Sequence, residues 1–189
     1  LKKIVMASSS SIYGNQEGIM EENSTLPKTI SPYGATKLAS ENLGYLYYEN
    51  FGLPITSLRY FTVYGPKQRP DMAFFKFIMA NLSEQKIVLF GDGSQKRDFT
   101  FISDIVEANI KTLENNVEGE ILNVGGGSVR SINEVLDIIS SETGKKNKIT
   151  FKNKEKGDVH KTEADVKEIE KKLNFKPKIL LEEGLPLEI

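Results

Sequence analysis

A short apolar run at 4–7, Ile-Val-Met-Ala, stops at four consecutive serines, Ser8 to Ser11. A run this brief, ended by hydroxyl residues, predicts a strand buried on both faces of a parallel sheet. The stretch over 14–32 holds Gly, Asn and Pro with little periodicity and predicts a long polar loop. Over 33–51 the spacing turns helical. Ala35, Leu38, Ala39, Leu43, Leu46 and Tyr47 recur near the 3.6-residue period, and Gly52 stands where a helix stops. A second strand is predicted over 55–61, broken by Tyr64-Gly65-Pro66. Strand, helix and strand in this order predict a right-handed parallel crossover.

The pattern continues with an amphipathic helix marked by Phe74, Phe77, Ile78 and Leu82, then a strand over 87–90 closed by Gly91-Asp92-Gly93. Residues 99–102 lead into a helix over 103–113, and 120–124 form a strand stopped by Gly125-Gly126-Gly127. Ser131-Ile-Asn-Glu134 has the spacing of a capping box, opening a helix with Ile132, Val135, Leu136 and Ile139 inward. A strand over 149–151 and a helix over 164–173 complete an α/β pattern without internal repeats.

Composition narrows the chemistry. The chain has 189 residues, enough for one large or two small domains, and 25 Lys+Arg against 26 Asp+Glu. A net charge of −1 offers no electrostatic footprint for nucleic acid or an acidic membrane. The Lys-rich stretch over 145–178 also carries acids and reads as a solvated face. The absence of Cys removes disulfides, thiolate metal sites and cysteine nucleophiles, and the single histidine, His160, gives no basis for a multi-His metal site. No apolar run approaches the ~20 residues of a membrane span, and no signal peptide opens the chain, so a cytoplasmic location is expected. The chain begins with Leu rather than Met, one basic pair before a core strand, and is expected to be part of a longer protein.

Tyr33 and Lys37 lie four apart at the start of a helix and share a face, where an ammonium favours a phenolate by Coulomb attraction. Taken alone, such a pair also describes an ordinary surface helix. The serines at 8–11 add context, because open parallel sheets place ligands at the carboxyl ends of their strands. Those hydroxyls would serve a reacting hydroxyl beside the tyrosine or simply cap turn backbone.

Six segments then follow in order: Ala-Ser-Ser-Ser-Ser-Ile-Tyr-Gly (7–14), Pro-Tyr-Gly-Ala-Thr-Lys (32–37), Leu-Arg-Tyr-Phe-Thr-Val-Tyr-Gly-Pro (58–66), Arg-Pro-Asp-Met-Ala-Phe (69–74), Gly-Asp-Gly-Ser-Gln-Lys-Arg-Asp-Phe (91–99) and Asn-Val-Gly-Gly-Gly (123–127). Together they resemble the extended short-chain dehydrogenase/reductase superfamily, within it the NAD-dependent nucleotide-sugar epimerases related to UDP-glucose 4-epimerase. The resemblance implies part of a Rossmann-type doubly wound parallel sheet over 1–63. It also implies a smaller mixed α/β nucleotide-sugar domain over 64–189, with 99–124 returning to the Rossmann part. Family members open with a glycine-rich loop for the NAD pyrophosphate; no such loop occurs in these residues, so roughly an N-terminal third is expected to be missing.

By this resemblance Tyr33 is the general base, Lys37 assists it and binds the nicotinamide ribose, and Ser9 hydrogen-bonds the sugar 4-hydroxyl beside Ser10. Phe61 falls at the nicotinamide end of NAD and Thr62 at a substrate contact. Val88 and Phe90 fall where the uridine is held, Arg97 grips the pyrophosphate with its guanidinium fork, and Asp158 contacts the ribose. Phe61 also reads as a core aromatic, and Arg97 with Asp98 as an ordinary ion pair. The implied reaction inverts C4 of a UDP-hexose by removing and returning its hydride on NAD.

Two departures bear on this reading. Ser10 and Ser11 stand where relatives that dehydrate the sugar carry acidic residues, which argues against dehydration. Glu155, between Lys154 and Lys156, stands where an arginine is common. Lys67-Gln68-Arg69 resembles the broad UDP-glucose 4-epimerases more than the UDP-glucuronate enzymes, and favours UDP-glucose or UDP-galactose. UDP-glucuronate, UDP-N-acetylglucosamine and a non-catalytic sugar-nucleotide-binding fragment are the alternatives. A homodimer is implied through the Tyr33 helix, whose outer face is expected to carry Leu43, Tyr47 and Tyr48.

Overall fold

The crossover predicted at the amino end is present. The computed structural model describes residues 2–16, 18–23, 25–153 and 159–189. Its first half runs β1 (Ile4–Ser9), a 3-10 turn (Ser10–Tyr13), α1 (Pro32–Phe51), β2 (Ile55–Tyr60), β3 (Thr62–Tyr64), α2 (Ala73–Leu82) and β4 (Lys86–Phe90). Then follow β5 (Lys96–Phe101), α3 (Ile102–Glu114), β6 (Ile121–Val124), β7 (Ser128–Ser131), α4 (Ile132–Thr143), β8 (Lys148–Lys152), α5 (Lys167–Leu173) and α6 (Leu181–Gly184). A last 3-10 turn covers Leu185–Leu187. No helix among the described residues is long and apolar enough to cross a membrane.

Three sheets organise these strands. Strands β1, β2 and β6 form a parallel sheet in the order β1-β2-β6, with Ser9 in register with Tyr60 and Arg59 with Asn123. Strand β5 pairs parallel with β3 and antiparallel with β7, while β4 pairs parallel with β8. Leu58, Leu122, Val124, Ile105 and Phe175 fill one core, and Phe74, Phe99, Phe101, Leu136 and Ile139 fill a second.

Several expectations change in the folded chain. Strand β1 was expected to be buried on both faces, but Ile4, Val5 and Met6 are half-buried and Ala7 is exposed. It has β2 on one side and, among the described residues, no strand on the other. The second strand ends at Tyr60, one residue earlier than expected; the Phe61 N–H still donates to the Val124 carbonyl of β6 before β3 begins. Strands β3 and β7 and helix α6 were not anticipated; each is four residues or shorter, too brief to show a period.

Helix α1 carries Leu43 and Tyr47 outward as expected, and its buried face is one the pattern did not show. Its stop agrees with expectation, Gly52 adopting the left-handed conformation at φ 61°; its start lies one residue earlier, with Pro32 in the first turn and the Ser31 hydroxyl accepting the Gly34 N–H. Its buried positions, however, are Gly34, Glu41 and Gly44, while Leu43, Leu46 and Tyr47 are exposed. Tyr48, expected on the outer face with them, is half-buried against Gly119. Leu43, Leu46 and Tyr47 therefore face away from the sheet; the fully buried contacts of α1 are two glycines and one carboxylate, with Leu38 half-buried against Tyr13 and Phe61.

Candidate active site

Strand β1 ends at Ser9, and the chain turns at once into the 3-10 turn. Ser9 is 9% exposed; its hydroxyl accepts the Ser11 N–H at 3.1 Å and donates to Ser11 Oγ at 3.0 Å. Ser10 is half-buried beside it. The first turn of α1 is laid directly on this turn: a Cβ on Gly34 would lie 2.6 Å from the Ser11 carbonyl oxygen. That contact brings the neighbouring Tyr33, 55% exposed, to the carboxyl edge of the sheet. One helical turn later the Lys37 ammonium donates a 2.9 Å hydrogen bond to the Ala7 carbonyl and stands 5.6 Å from the Tyr33 ring centre. Ser9, Tyr33 and Lys37 are thus gathered at one edge.

Beneath that edge runs a buried polar network. Arg59 on β2 grips Glu41 of α1 with two hydrogen bonds, Nε to Oε1 at 2.9 Å and Nη2 to Oε2 at 2.8 Å, and both side chains are almost fully buried. The Ser8 hydroxyl donates to Glu41 as well. Arg59 Nη1 donates to the Tyr13 hydroxyl at 2.8 Å, which donates to Asn123 Oδ1 at 2.8 Å. Burial would lower the Arg59 pKa, but its interactions with Glu41 and Tyr13 together outweigh this and raise it, so the guanidinium stays charged. Burial likewise pushes the Tyr13 phenol up, with Arg59 pulling the other way. The Tyr13 ring packs 6.3 Å from that of Phe61, which is buried.

The remaining predicted residues lie on the other sheets. Thr62 opens β3, half-buried and in register with Phe99 of β5. Arg97 is half-buried on β5, and its Nη1 donates to the Lys96 carbonyl at 2.8 Å. Val88 and Phe90 point outward from β4, at 41% and 39% exposure, whereas Ile87 and Leu89 point into the core. Asp158, with Lys154, Glu155 and Lys156, lies outside the described residues.

Asp98 is fully buried and has a larger role than the ion-pair alternative gave it. Its carboxylate accepts the Gly126 N–H at 2.9 Å and the Ala164 N–H at 3.0 Å, tying β5 to the glycine turn after β6 and to the chain beyond 159. Burial raises its pKa to about 6, against the pull of these N–H donors. Glu41, Arg59, Tyr13 and Asn123 were missed by the sequence reading. The available signal was the four-residue step from Tyr33 to Lys37 to Glu41, which places all three along one stripe of the helix.

A parallel strand–helix–strand unit with serine, tyrosine and lysine at its carboxyl edge defines a Rossmann-type fold of the short-chain dehydrogenase kind. The chain belongs to the NAD dependent epimerase/dehydratase family, whose model matches residues 1–125. It is 46% identical over 186 residues to a UDP-glucuronate 4-epimerase of Thermodesulfobacterium geofontis, covering 98% of this chain and 57% of that protein. It is 42% identical to an uncharacterized UDP-glucose epimerase, YtcB, of Bacillus subtilis, covering all of this chain and 60% of that one. The UDP-glucuronic acid 4-epimerase of Bacillus cereus, solved with UDP-glucuronic acid and NAD, matches with a TM-score of 0.95 at 40% identity, over 98% of this chain and 60% of that one. The UDP-glucose 4-epimerase of Thermotoga maritima, solved with UDP-glucose, matches with a TM-score of 0.93 at 32% identity, over 99% and 62%. The chain thus spans about three-fifths of the length of these relatives.

Proposed function

We propose that the full-length protein carrying this chain is an NAD-dependent UDP-sugar 4-epimerase, and that its sugar is UDP-glucuronate. The observation that carries the reaction class is the Tyr33–Lys37 pair held beside Ser9 at the sheet edge by the Lys37–Ala7 hydrogen bond. The donor set suits the reacting end of NAD: a phenol and an ammonium, both reachable from solvent, at the carboxyl edge of parallel strands. NAD held there by Tyr33 and Lys37 would supply hydride acceptor and donor chemistry for the sugar C4. Tyr33 takes the proton of the 4-hydroxyl and gives it back, Lys37 stabilises the phenolate, and Ser9 orients the hydroxyl. Arg97 holds the pyrophosphate, and Val88 and Phe90 border the uridine. Anchoring the nucleotide while the hexose is loosely held lets the sugar present either face.

The choice of sugar departs from the sequence preference for UDP-glucose, which rested on Lys67-Gln68-Arg69. Supporting UDP-glucuronate are the 46% identity to a UDP-glucuronate 4-epimerase and the 0.95 TM-score to another. Ser10 and Ser11, in the turn that follows β1, carry hydroxyls, neutral donors suited to a sugar carboxylate. The test is to give the NAD-loaded protein UDP-glucuronate and UDP-glucose separately and follow the anomeric protons by NMR. Conversion of UDP-glucuronate with the larger kcat/KM supports the reading; preference for UDP-glucose, or loss of a carbon, overturns it.

A further inference from the structure

Most surface helices are held on a sheet by apolar side chains, and the rotation of such a helix about its axis is fixed by the fit of those side chains. On its sheet-facing stripe helix α1 has two such side chains, both half-buried: Leu38, against the cluster of Ile12, Tyr13 and Phe61, and Tyr48, against Gly119. The fully buried positions of the helix are Gly34, Glu41 and Gly44, and its large apolar residues Leu43, Leu46 and Tyr47 are exposed. The glycines set how close the helix comes: a Cβ on Gly34 would meet the Ser11 carbonyl at 2.6 Å, and one on Gly44 would meet the Met6 side chain at 2.8 Å. Close approach alone leaves the helix free to roll. The one long side chain on this stripe that reaches fully into the sheet is Glu41, and it is fixed from two strands. Arg59 of β2 holds both of its oxygens at 2.8–2.9 Å, and Ser8 of β1 donates to it.

The same stripe carries the reacting groups. Tyr33, Lys37 and Glu41 follow at four-residue steps, and Lys37 is tied to Ala7, the neighbour of Ser8. Arg59 is itself braced by Tyr13, and Tyr13 by Asn123 on β6, so the anchor rests on all three strands of the sheet. We propose that Glu41, clamped by Arg59 and Ser8, is the positioning residue that sets the roll of α1 and thereby the placement of Tyr33 and Lys37 against Ser9. This rests on the epimerase reading above. A buried ion pair is a poor source of stability compared with an apolar pair of similar size, and its two-point geometry is suited to fixing orientation.

The experiment uses the full-length protein with NAD and its UDP-sugar. The double variant Glu41→Met/Arg59→Met removes the clamp without leaving a buried charge unpaired, and Glu41→Asp shortens the reach while keeping the charge. In each variant that folds, kcat is expected to fall roughly 10- to 100-fold, as a misplacement near 1 Å would produce. KM, and the calorimetric affinity for UDP, are expected to stay within about twofold of the parent. Independently of turnover, the Tyr33 side-chain carbon resonance, assigned by its loss in Tyr33→Phe, should shift in both variants. A folded variant with unchanged kcat and an unmoved Tyr33 resonance overturns the proposal. So does a rise in KM or a loss of UDP affinity that accounts for the whole effect. An inactive parent, or full activity in Tyr33→Phe, would instead show that the epimerase reading fails and takes this proposal with it.

Discussion

Gly34 touches the Ser11 carbonyl so closely that any side chain at position 34 would drive the first turn of α1 off the turn that ends β1, since a Cβ there would lie 2.6 Å from that oxygen. The neighbour across this contact is backbone and cannot swing away. Gly34→Ala should therefore destabilise by about 1–3 kcal/mol and reduce kcat as well, because Tyr33 moves with the turn. Gly44→Ala meets the flexible end of Met6 at 2.8 Å and the Ile55 Cγ2 methyl at 3.3 Å, side chains rather than backbone, and should cost less. Denaturant unfolding of both variants checks this; equal costs would contradict it.

Tyr33 is half exposed, so removing its hydroxyl should leave the fold intact. Tyr33→Phe in the full-length protein is expected to lower kcat by about 10²–10⁴-fold, the usual contribution of a positioned general acid–base group. Steady-state rates with an unchanged melting temperature would establish it. A loss below about tenfold would remove Tyr33 from the proposed role.

Tyr13 joins elements that lie 110 residues apart, through its hydrogen bond to Asn123, and it also accepts from Arg59. Tyr13→Phe leaves a buried amide oxygen and a guanidinium N–H without that partner. The expected cost is about 1–3 kcal/mol in equilibrium unfolding. No measurable cost would mean that the network relaxes around the gap.

Asp98 gives a pH signature. Its pKa is raised to about 6 from an ordinary 3.8, chiefly by burial. The folded state therefore holds this proton more tightly than the unfolded chain. Its contribution to stability is full below about pH 4 and is lost as pH rises through 6, on the order of 3 kcal/mol across the window. Asp98→Asn removes the titration. The unfolding free energy of the parent minus that of the variant should fall between pH 4 and 7. A flat difference would show that Asp98 does not titrate there.

The exposed Leu43, Leu46 and Tyr47 on α1 suit the homodimer that the family resemblance implies. Light scattering should give a dimer for the full-length protein at micromolar concentration. Leu43→Glu, which places a charge within that face, should shift it toward monomer; a monomeric parent would refute the assignment.

The amino-terminal crossover was legible in the sequence because β1 opens with an apolar run and the helix that follows has a 3.6-residue period and a stop at Gly52. The serine, tyrosine and lysine of the candidate site were legible for the same reason: each lies at a fixed offset from a recognisable element boundary. Strands β3 and β7 were not, since three or four residues carry no measurable period. The outward Leu43 and Tyr47 of α1 were legible, but its sheet-facing side was not, because its fully buried contacts are made by glycines and Glu41 rather than by large apolar residues. The Tyr13–Asn123 and Asp98–Ala164 links escaped notice because each joins residues distant in sequence, and local pattern says nothing about which of them meet.

The most direct measurement uses UDP-glucuronate carrying deuterium at C4, incubated with the NAD-loaded full-length protein in ordinary water. Removal and return of one hydride within the site predicts a C4-inverted product that keeps its deuterium, with no accumulation of NADH and no loss of carbon. Tyr33→Phe should stop the conversion. Exchange of the label with solvent, or release of NADH in step with product, would contradict 4-epimerisation by this chain's tyrosine–lysine edge.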